Sequence, residues 1–276
     1  KFMNDTCIYW FRKDLRLDDN PALLEAAKHK KIIPIFIFDK SLKEYKEIGE
    51  ASHWWLENSL ISLNSDLDNK LNIIEGNSLA CITKIIKEQN ISHLYWNRCY
   101  EPDRIAADTI IKKSMKDLNV VTKSFNASLL WEPWKIKNKS GNFYKVFTPF
   151  FKKGCLEADP PRNPLDKPEK LFFLKLNAEN QNYHFKFENK SYKWYAKFEK
   201  IWDTSEASAR KSFNNFLNNG ARDYNEGRNF PSKSSVSKIS PYLHWGQISP
   251  FRVWQDAKNK MNGLHKETFL SEIGWR

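Results

Sequence analysis

Two Ser-Pro pairs stand nine residues apart in the stretch SKISPYLHWGQISP, residues 237–250. Serine is a strong N-cap because its hydroxyl accepts a hydrogen bond from an early helical N–H. Proline fits the first helical position, which needs no N–H. Ser240-Pro241 and Ser249-Pro250 therefore predict two helix starts, and Gly246 and Gly263 predict the ends of the two helices.

The first of these helix starts has the composition of a phosphate site. Free N–H groups and a partial positive charge at a helix start attract anions. Ser234, Ser235, Ser237 and Lys238 add hydroxyl donors and one cation just upstream. Two capped helices joined by a tight turn explain the same residues, and this stretch taken alone favours that simpler interpretation.

Other sequence signals of catalysis are absent. The chain has no HExxH, GxSxG, P-loop or EF-hand pattern, and its six histidines are dispersed. Four cysteines, at positions 7, 81, 99 and 155, form no CxxC pair, so the sequence predicts neither a zinc site nor a disulfide framework. It does predict a reducing compartment. No metal site is expected. If the protein is an enzyme, a cofactor should carry the difficult step.

Composition points to a polyanionic partner. The chain has 276 residues, with 45 Lys and Arg against 33 Asp and Glu, a net charge of +12. Eleven tryptophans among 14% aromatic residues suit stacking on bases or on a flat cofactor. No apolar run reaches membrane-span length and no signal-peptide pattern opens the sequence, so we expect no membrane contact and a soluble, cytoplasmic protein.

Patterning divides the chain into three parts. Residues 1–130 alternate continuous apolar runs with helical patterns, which predicts an α/β domain with a parallel sheet covered on both faces. No G-x-G-x-x-G follows the first run, so this domain shows no dinucleotide fingerprint. Residues 131–202 are rich in proline and charge and predict a long linker running over the first domain. Residues 203–276 are helical only.

Details of the last two parts follow from local signals. The linker ends in a basic-aromatic tail, either a solvated face or a nucleic-acid track, with lysines at positions 186, 190, 193, 197 and 200. Asp203 and Glu206 predict a capping box, and Gly220 predicts the end of that helix. Residues 221–235 predict a polar loop. The final helix has no stop signal, so we expect the natural chain to continue.

Five stretches in order resemble one family. They are YWFRKDLRLDDNPAL at 9–23, PIFIFD at 34–39, YKVFTPFFKK at 144–153, YNEGRNFPSKSSVSKISPYLHWGQISP at 224–250 and FLSEIGWR at 269–276. The sequence thereby resembles the DNA photolyases and cryptochromes, and among them most of all the bacterial class I photolyases of cyclobutane pyrimidine dimers.

That resemblance implies a fold and an activity. The family has a Rossmann-like α/β domain, a long linker and an all-helical domain that holds FAD, here present in part. In such proteins reduced FAD absorbs blue light and passes an electron to a pyrimidine dimer flipped out of DNA, which then splits. We therefore expect a monomeric deoxyribodipyrimidine photo-lyase acting on dimer-containing DNA, with the fragment itself inactive.

The resemblance also carries cofactor roles to individual positions. Tyr224 matches a residue that contacts FAD. The phosphate-binding run of the family corresponds to Val236, Ser237, Lys238, Ile239 and Ser240. Position 236 is often Thr in the family, so the valine here removes one hydroxyl, which Ser235 or backbone N–H groups could replace. Phe269 stands where the family often has an aromatic residue against the flavin.

Four positions match family residues on the DNA side. Arg228 matches a DNA-contacting arginine, and Trp275 a tryptophan that stacks on the flipped dimer. Glu272 matches the carboxyl group that touches the dimer bases, where burial near an apolar flavin would favour its neutral form. Arg276 matches an arginine on the flavin and DNA side. Phe269, Glu272 and Arg276 recur at i, i+3 and i+7, so one helix face could present all three.

The antenna chromophore stays open. Folate-using members carry an Asn-Glu pair after the letters YE, whereas this chain has Asp103 and Arg104. A folate, a deazaflavin, another chromophore or none are all compatible with the sequence. Two further functions also compete with repair, namely a cryptochrome-type blue-light photoreceptor that binds FAD without repairing DNA, and a DNA-binding module without flavin.

Overall fold

A parallel five-stranded sheet forms the first part of the protein. The computed structural model describes residues 5–187 and 193–275. The strands follow the order β3-β2-β1-β4-β5, and every neighbouring pair is parallel. They are β1 (Thr6–Phe11), β2 (Lys31–Phe38), β3 (Asn72–Glu75), β4 (His93–Asn97) and β5 (Val121–Phe125). This sheet confirms the predicted α/β class.

Helices cover both faces of the sheet. They are α1 (Pro21–Ala26), α2 (Lys43–Lys46), α3 (Glu50–Asp66), α4 (Ser78–Gln89) and α5 (Pro102–Asp117). Because side chains alternate along a strand, Ile8 and Trp10 point into one apolar cluster while Tyr9 and Phe11 point into another. The second cluster continues without a break into the helical part of the chain, as Phe213 belongs to it.

The remaining elements are short or helical. They are α6 (Phe147–Pro149), α7 (Ala196–Ile201), α8 (Glu206–Asn215), α9 (Tyr224–Gly227), α10 (Ser240–Trp245), α11 (Pro250–Lys260) and α12 (Gly263–Gly274). Wider π-helical turns follow α6 at Phe150–Cys155 and α8 at Phe216–Gly220. Within the described ranges, no helix is long and apolar enough to cross a bilayer.

In the helical part, several helix caps and helix ends differ from those that the sequence predicted. Ser205, not Asp203, caps α8, and Glu206 instead accepts the backbone amides of Leu17 and Asp18. The predicted end at Gly220 is also wrong, because a π-helical turn runs up to this residue and the chain continues as 3₁₀-helix and α9.

The two Ser-Pro pairs prove to be different. Ser249 caps α11 as predicted, accepting hydrogen bonds from two early amides. Ser240 caps nothing, because it already lies inside α10, whose N-cap position is Ile239. Gly246 ends α10 with a φ of 79°, as expected, whereas Gly263 begins α12 rather than ending α11.

The loop after β1 joins the α/β part to the helical part. Arg16 is almost fully buried, and its guanidinium donates to the carbonyls of Asp19, Ala127 and Gly246, each at 2.9 Å. The Asp19 carboxylate accepts from the Ser249 hydroxyl and, at 2.9 Å, from the amide of Leu165. One loop thereby fixes the linker and the start of α11 against the sheet.

The end of the linker lies against α3 through one buried carboxylate. Glu57 accepts hydrogen bonds from the Tyr183 hydroxyl at 2.5 Å and from the amides of Lys186 and Phe187 at 2.6 and 3.1 Å. Burial would raise the pKa of Glu57, but these bonds, together with the bond from His53, outweigh it and hold its pKa below the ordinary 4.5.

Gly246→Ala tests the closeness of the two halves. A Cβ at this position would overlap the carbonyl of Lys13, and the φ of 79° strains any L side chain. We expect a loss of at least about 2 kcal/mol in the free energy of unfolding, measured by urea denaturation. Gly49→Ala is the control, because a Cβ there meets nothing within 4 Å. Equal losses in both variants would contradict the close approach.

Glu57→Gln tests the linker attachment and its pH dependence. Because the pKa of Glu57 is lowered in the folded state, its stabilisation is complete above pH 4.5 and disappears as the pH falls through the folded value. The variant should lose about 2 kcal/mol at pH 7, and this loss should shrink as the pH falls below 4.5 toward the folded value. Glu47→Gln, at an exposed ion pair, should change little. A loss independent of pH would argue against an ionised Glu57.

Candidate functional site

The short helix α9 lies at the centre of the candidate residues. A Cβ at Gly227 would overlap the Ser235 side chain, and one at Gly220 would overlap the carbonyl of Ser234. On the α12 side, the amide of Asn225 donates to His265 at 3.1 Å and Thr268 donates to the Asn225 side chain at 2.8 Å. Helix α9 and the turn just before it therefore contact both the Ser234-Ser235 segment and α12.

Two successive residues in the run from Val236 to Ile239 have backbone angles of opposite hand. Lys238 has a left-handed φ of 53°, and Ile239 follows with φ −90° and ψ −3°. Successive residues of opposite hand turn their N–H groups toward one point, an arrangement that binds anions. In the described parts of the chain, the amides of residues 236–239 donate to no other protein group.

The hydrogen-bond donors of this run are not the ones that the sequence predicted. Helix α10 has only six residues and no side-chain cap, so the expected contribution of a well-capped helix start is small. Ser240 is exposed beside Trp202 and His244, in a groove of its own. The Ser235 hydroxyl donates to Asp223 at 3.2 Å, so it does not replace the hydroxyl missing at Val236. Backbone amides remain as the free donors.

Phe269 and Tyr224 belong to an aromatic cluster. The ring of Phe269 packs at 5.2 Å from that of Tyr224, 5.3 Å from Phe216 and 5.9 Å from Phe213. Phe269 is only 1% exposed, so it lies in the core and has no face left for a flavin in this structure. Burial raises the pKa of Tyr224, although the guanidinium of Arg228 lies nearby.

Arg228 and Glu272 form an ion pair between α9 and α12. Their nearest atoms, Nη1 and Oε1, are 2.6 Å apart, and the pairing raises the pKa of Arg228. The side chain of Glu272 is 41% exposed. It is therefore not buried as the sequence-based hypothesis of a neutral acid required. The predicted shared face is also incomplete, since Phe269 turns inward while Glu272 turns to solvent.

Trp275 follows directly after α12, at the C-cap position. Its side chain is 64% exposed, although one face stacks on Phe147 with ring centres 3.7 Å apart and planes 8° from parallel. The stacking partner comes from the linker, a contact that no local signal in the sequence indicated. Arg276, the remaining DNA-side candidate, lies outside the described residues.

Sequence reasoning missed a basic segment of the linker, which also contains Phe147, the stacking partner of Trp275. Residues 133–156 contain six lysines and no acidic residue, at positions 135, 137, 139, 145, 152 and 153. Trp134 and Phe143 are exposed among them. Within the described ranges none of these lysines is in an ion pair. The absence of carboxylates over 24 residues was the available signal.

The tail that sequence reasoning did select is largely structural. Phe187 and Tyr195 are buried, and the Tyr195 hydroxyl donates to the carbonyl of Phe187 at 2.8 Å. Lys186 pairs with Glu50 at 2.8 Å. Lys190 lies outside the described residues. The aromatic residues of this tail anchor the linker rather than offer faces to bases.

Asp103 and Arg104, at the position of the family's folate contacts, are occupied within the protein. Arg104 pairs with Glu44 at 2.7 Å and lies over the ring of Tyr45. Asp103 accepts the amide of Lys43 at 3.1 Å. Burial raises the pKa of Tyr45 to about 12. Both residues therefore hold α2 against α5, which leaves the chromophore question as open as the sequence did.

Neither a metal centre nor a reactive thiol is found among the described residues. No group of three or more His, Cys, Asp or Glu within residues 5–187 and 193–275 is arranged to hold a metal ion. All four cysteines are free thiols. Cys7, Cys99 and Cys155 are buried, and burial raises the pKa of each, so none has the features of a reactive thiolate.

Curated proteins similar in sequence to this chain include photo-lyases and cryptochromes. A deoxyribodipyrimidine photo-lyase of Agrobacterium fabrum is 35% identical over an alignment 278 residues long, which covers 98% of this chain and 57% of that protein. Cryptochrome-1 of Arabidopsis thaliana is 28% identical, over 98% of this chain and 42% of its own length. The chain thus spans about half the length of these curated relatives.

A solved structure and a family model give the same result. A crystal structure described as a bacterial class III photolyase from Agrobacterium tumefaciens superposes with a TM-score of 0.88 at 34% identity, covering 98% of this chain and 57% of that one. Since that relative is described as class III, the class I expectation stays a prediction. The family model for DNA photolyase matches residues 7–169. The chain belongs to the DNA photolyase family.

Proposed function

We propose that the whole protein repairs cyclobutane pyrimidine dimers in DNA by a light-driven reaction with reduced FAD. The observation that carries this proposal is Trp275, a large aromatic ring held at the surface with one face open. The ion pair of Arg228 and Glu272 lies one turn of α12 away. The proposal divides the chain into an α/β domain (1–130), a linker (131–202) and the first part of a helical FAD domain (203–276).

The residues present fit the phosphate portion of FAD. Within the described residues the amides of residues 236–239 donate to no protein group, and the opposite-hand angles of Lys238 and Ile239 are those that turn neighbouring amides toward one point. Lys238 adds an exposed cation. Tyr224 is fixed close by, since α9 packs against the same run. When bound, reduced FAD would supply the light-excited electron that opens the dimer. This chain's own part is to hold the cofactor's diphosphate and exclude water from its flank.

The DNA contacts proposed here involve charge and stacking. Arg228 is a cation at the surface, and six lysines between residues 135 and 153, in the same linker segment as Phe147, form no ion pair within the described part of the chain. Such charges neutralise phosphates without reading sequence. Trp275 would stack on a flipped base and Glu272 would accept hydrogen bonds from base edges. Arg276 would add a further cation to this side.

A blue-light photoreceptor is the second candidate. Cryptochrome-1 of Arabidopsis thaliana covers almost the whole chain at 28% identity. A photoreceptor needs flavin but has no use for an exposed stacking residue beside an arginine, which favours repair. We keep the expectations of a monomeric protein and of a cytoplasmic location. The four free thiols suit a reducing compartment and concern only the second expectation.

Light-dependent repair is the direct test. The protein expressed from its complete gene, reduced and illuminated, should restore an oligonucleotide that carries one thymine dimer, while a dark control should not. Trp275→Ala should lower dimer affinity about tenfold, since a stacked base contributes roughly 1–3 kcal/mol. Glu272→Ala should reduce repair without loss of flavin. A flavin-loaded protein that repairs nothing would favour the photoreceptor or another lesion.

The amide site is tested at Lys238, whose backbone has a positive φ. Lys238→Gly keeps that conformation and should retain most FAD affinity, whereas Lys238→Val disfavours it and should weaken binding about tenfold. Asn119→Val is the control, because Asn119 has a φ of 58° in a turn far along the chain from this run. Flavin fluorescence titration measures the affinity. Equal weakening by Gly and Val would mean that only the lysine charge matters.

A further inference from the structure

Three parallel rings lead from the core to the surface beside α12. Phe151 and Phe147 stack with centres 5.5 Å apart, and Phe147 and Trp275 stack with centres 3.7 Å apart. The planes of each pair differ by only 8°. We call Phe151, Phe147 and Trp275 the ring column. Its outermost member is the residue proposed above to stack on the lesion.

The inner end of the column is fixed. Phe151 is buried and meets the edge of Trp254, on α11, with centres 6.4 Å apart. Gly274 approaches Phe151 so closely that a Cβ would overlap the phenyl ring. The column therefore rests on two helices of the helical part, and the linker turn α6 inserts Phe147 between this base and Trp275.

The outer end of the column is open. Phe147 covers one face of Trp275, yet the tryptophan side chain is still 64% exposed, so within residues 5–187 and 193–275 its other face is uncovered. An exposed tryptophan without such support would sample several rotamers, most of which would have to be abandoned on binding. Support on one face keeps the ring in a single orientation with the other face free.

We propose that Phe147 is a positioning residue for lesion recognition: it holds Trp275 so that the open face receives a base of the flipped dimer as the next ring of the column. This inference rests on the proposed function. It assigns to the linker a part in recognising the lesion, through a residue that itself touches no DNA base. It also explains why an apolar ring stands in the middle of a lysine-rich segment.

The test compares Phe147→Ala and Phe147→Tyr with Phe143→Ala in the protein expressed from its complete gene. Phe143 is an exposed ring in the same linker segment. The ammonium group of Lys137 lies over this ring, which does not stack on Trp275. Dissociation constants are measured for a duplex with one thymine dimer and for the undamaged duplex. Phe147→Ala should weaken dimer binding about fivefold and leave undamaged binding unchanged. Phe147→Tyr and Phe143→Ala should resemble the wild type.

Two further measurements distinguish a role of Phe147 in positioning Trp275 from a role in the stability of the whole protein. Repair of the saturated complex should proceed at the wild-type rate in Phe147→Ala, since only binding of the lesion is affected. In a Trp275→Ala background, Phe147→Ala should add nothing to the loss of dimer affinity. An additive loss, or an equal loss for damaged and undamaged duplex, would overturn the proposal.

The outcomes also distinguish this inference from the function on which it rests. If the wild type prefers dimer DNA and Phe147→Ala keeps that preference, the positioning role is wrong and the proposed function stands. If the wild type shows no preference for the dimer, the proposed function fails and the positioning role fails with it.

Discussion

A guanidinium removed from water must find acceptors for its N–H groups, and Arg16 finds them in carbonyls from widely separated parts of the chain. It bonds Asp19 in its own loop, Ala127 after the last strand and Gly246 at the end of α10. A buried charge without hydrogen-bond partners would be very costly. The loop that carries Arg16 is therefore stable only when all three segments are in contact with it. The helical part takes its position relative to the sheet from this contact, and the linker is attached to the same loop through the bond from the amide of Leu165 to Asp19.

The candidate site depends on that arrangement, because its pieces come from distant parts of the sequence. Trp275 receives its support from Phe147 in the linker, and Glu272 receives its partner Arg228 from α9. Gly220, just before α9, and Gly227, at its end, let Ser234 and Ser235, which lead into the anion-binding run, approach to a distance that any larger residue would prevent. Packing rather than a single motif therefore gives this surface its combination of a cation, a carboxylate and an open ring.

The high tryptophan content has two separate uses. Trp10, Trp54, Trp96 and Trp245 are among the largest fully buried side chains, so much of the aromatic excess fills the core. Trp275 is the clear exception among the family-matched residues, since more than half of its surface is open. Composition alone suggested stacking on a ligand, but only the exposure of individual rings separates structural tryptophans from those able to stack.

The sequence by itself determined the α/β alternation, the parallel sheet covered on both faces, the cap at Ser249 and the family, because periodicity, caps and motifs are local properties. Tertiary structure decided the rest. It moved Ser240 into a helix and Gly263 to a helix start, buried Phe269, used Arg104 to hold α2 and placed Phe147 beneath Trp275. Each of these outcomes depends on a partner far away along the chain, and neither spacing nor propensity carries that information.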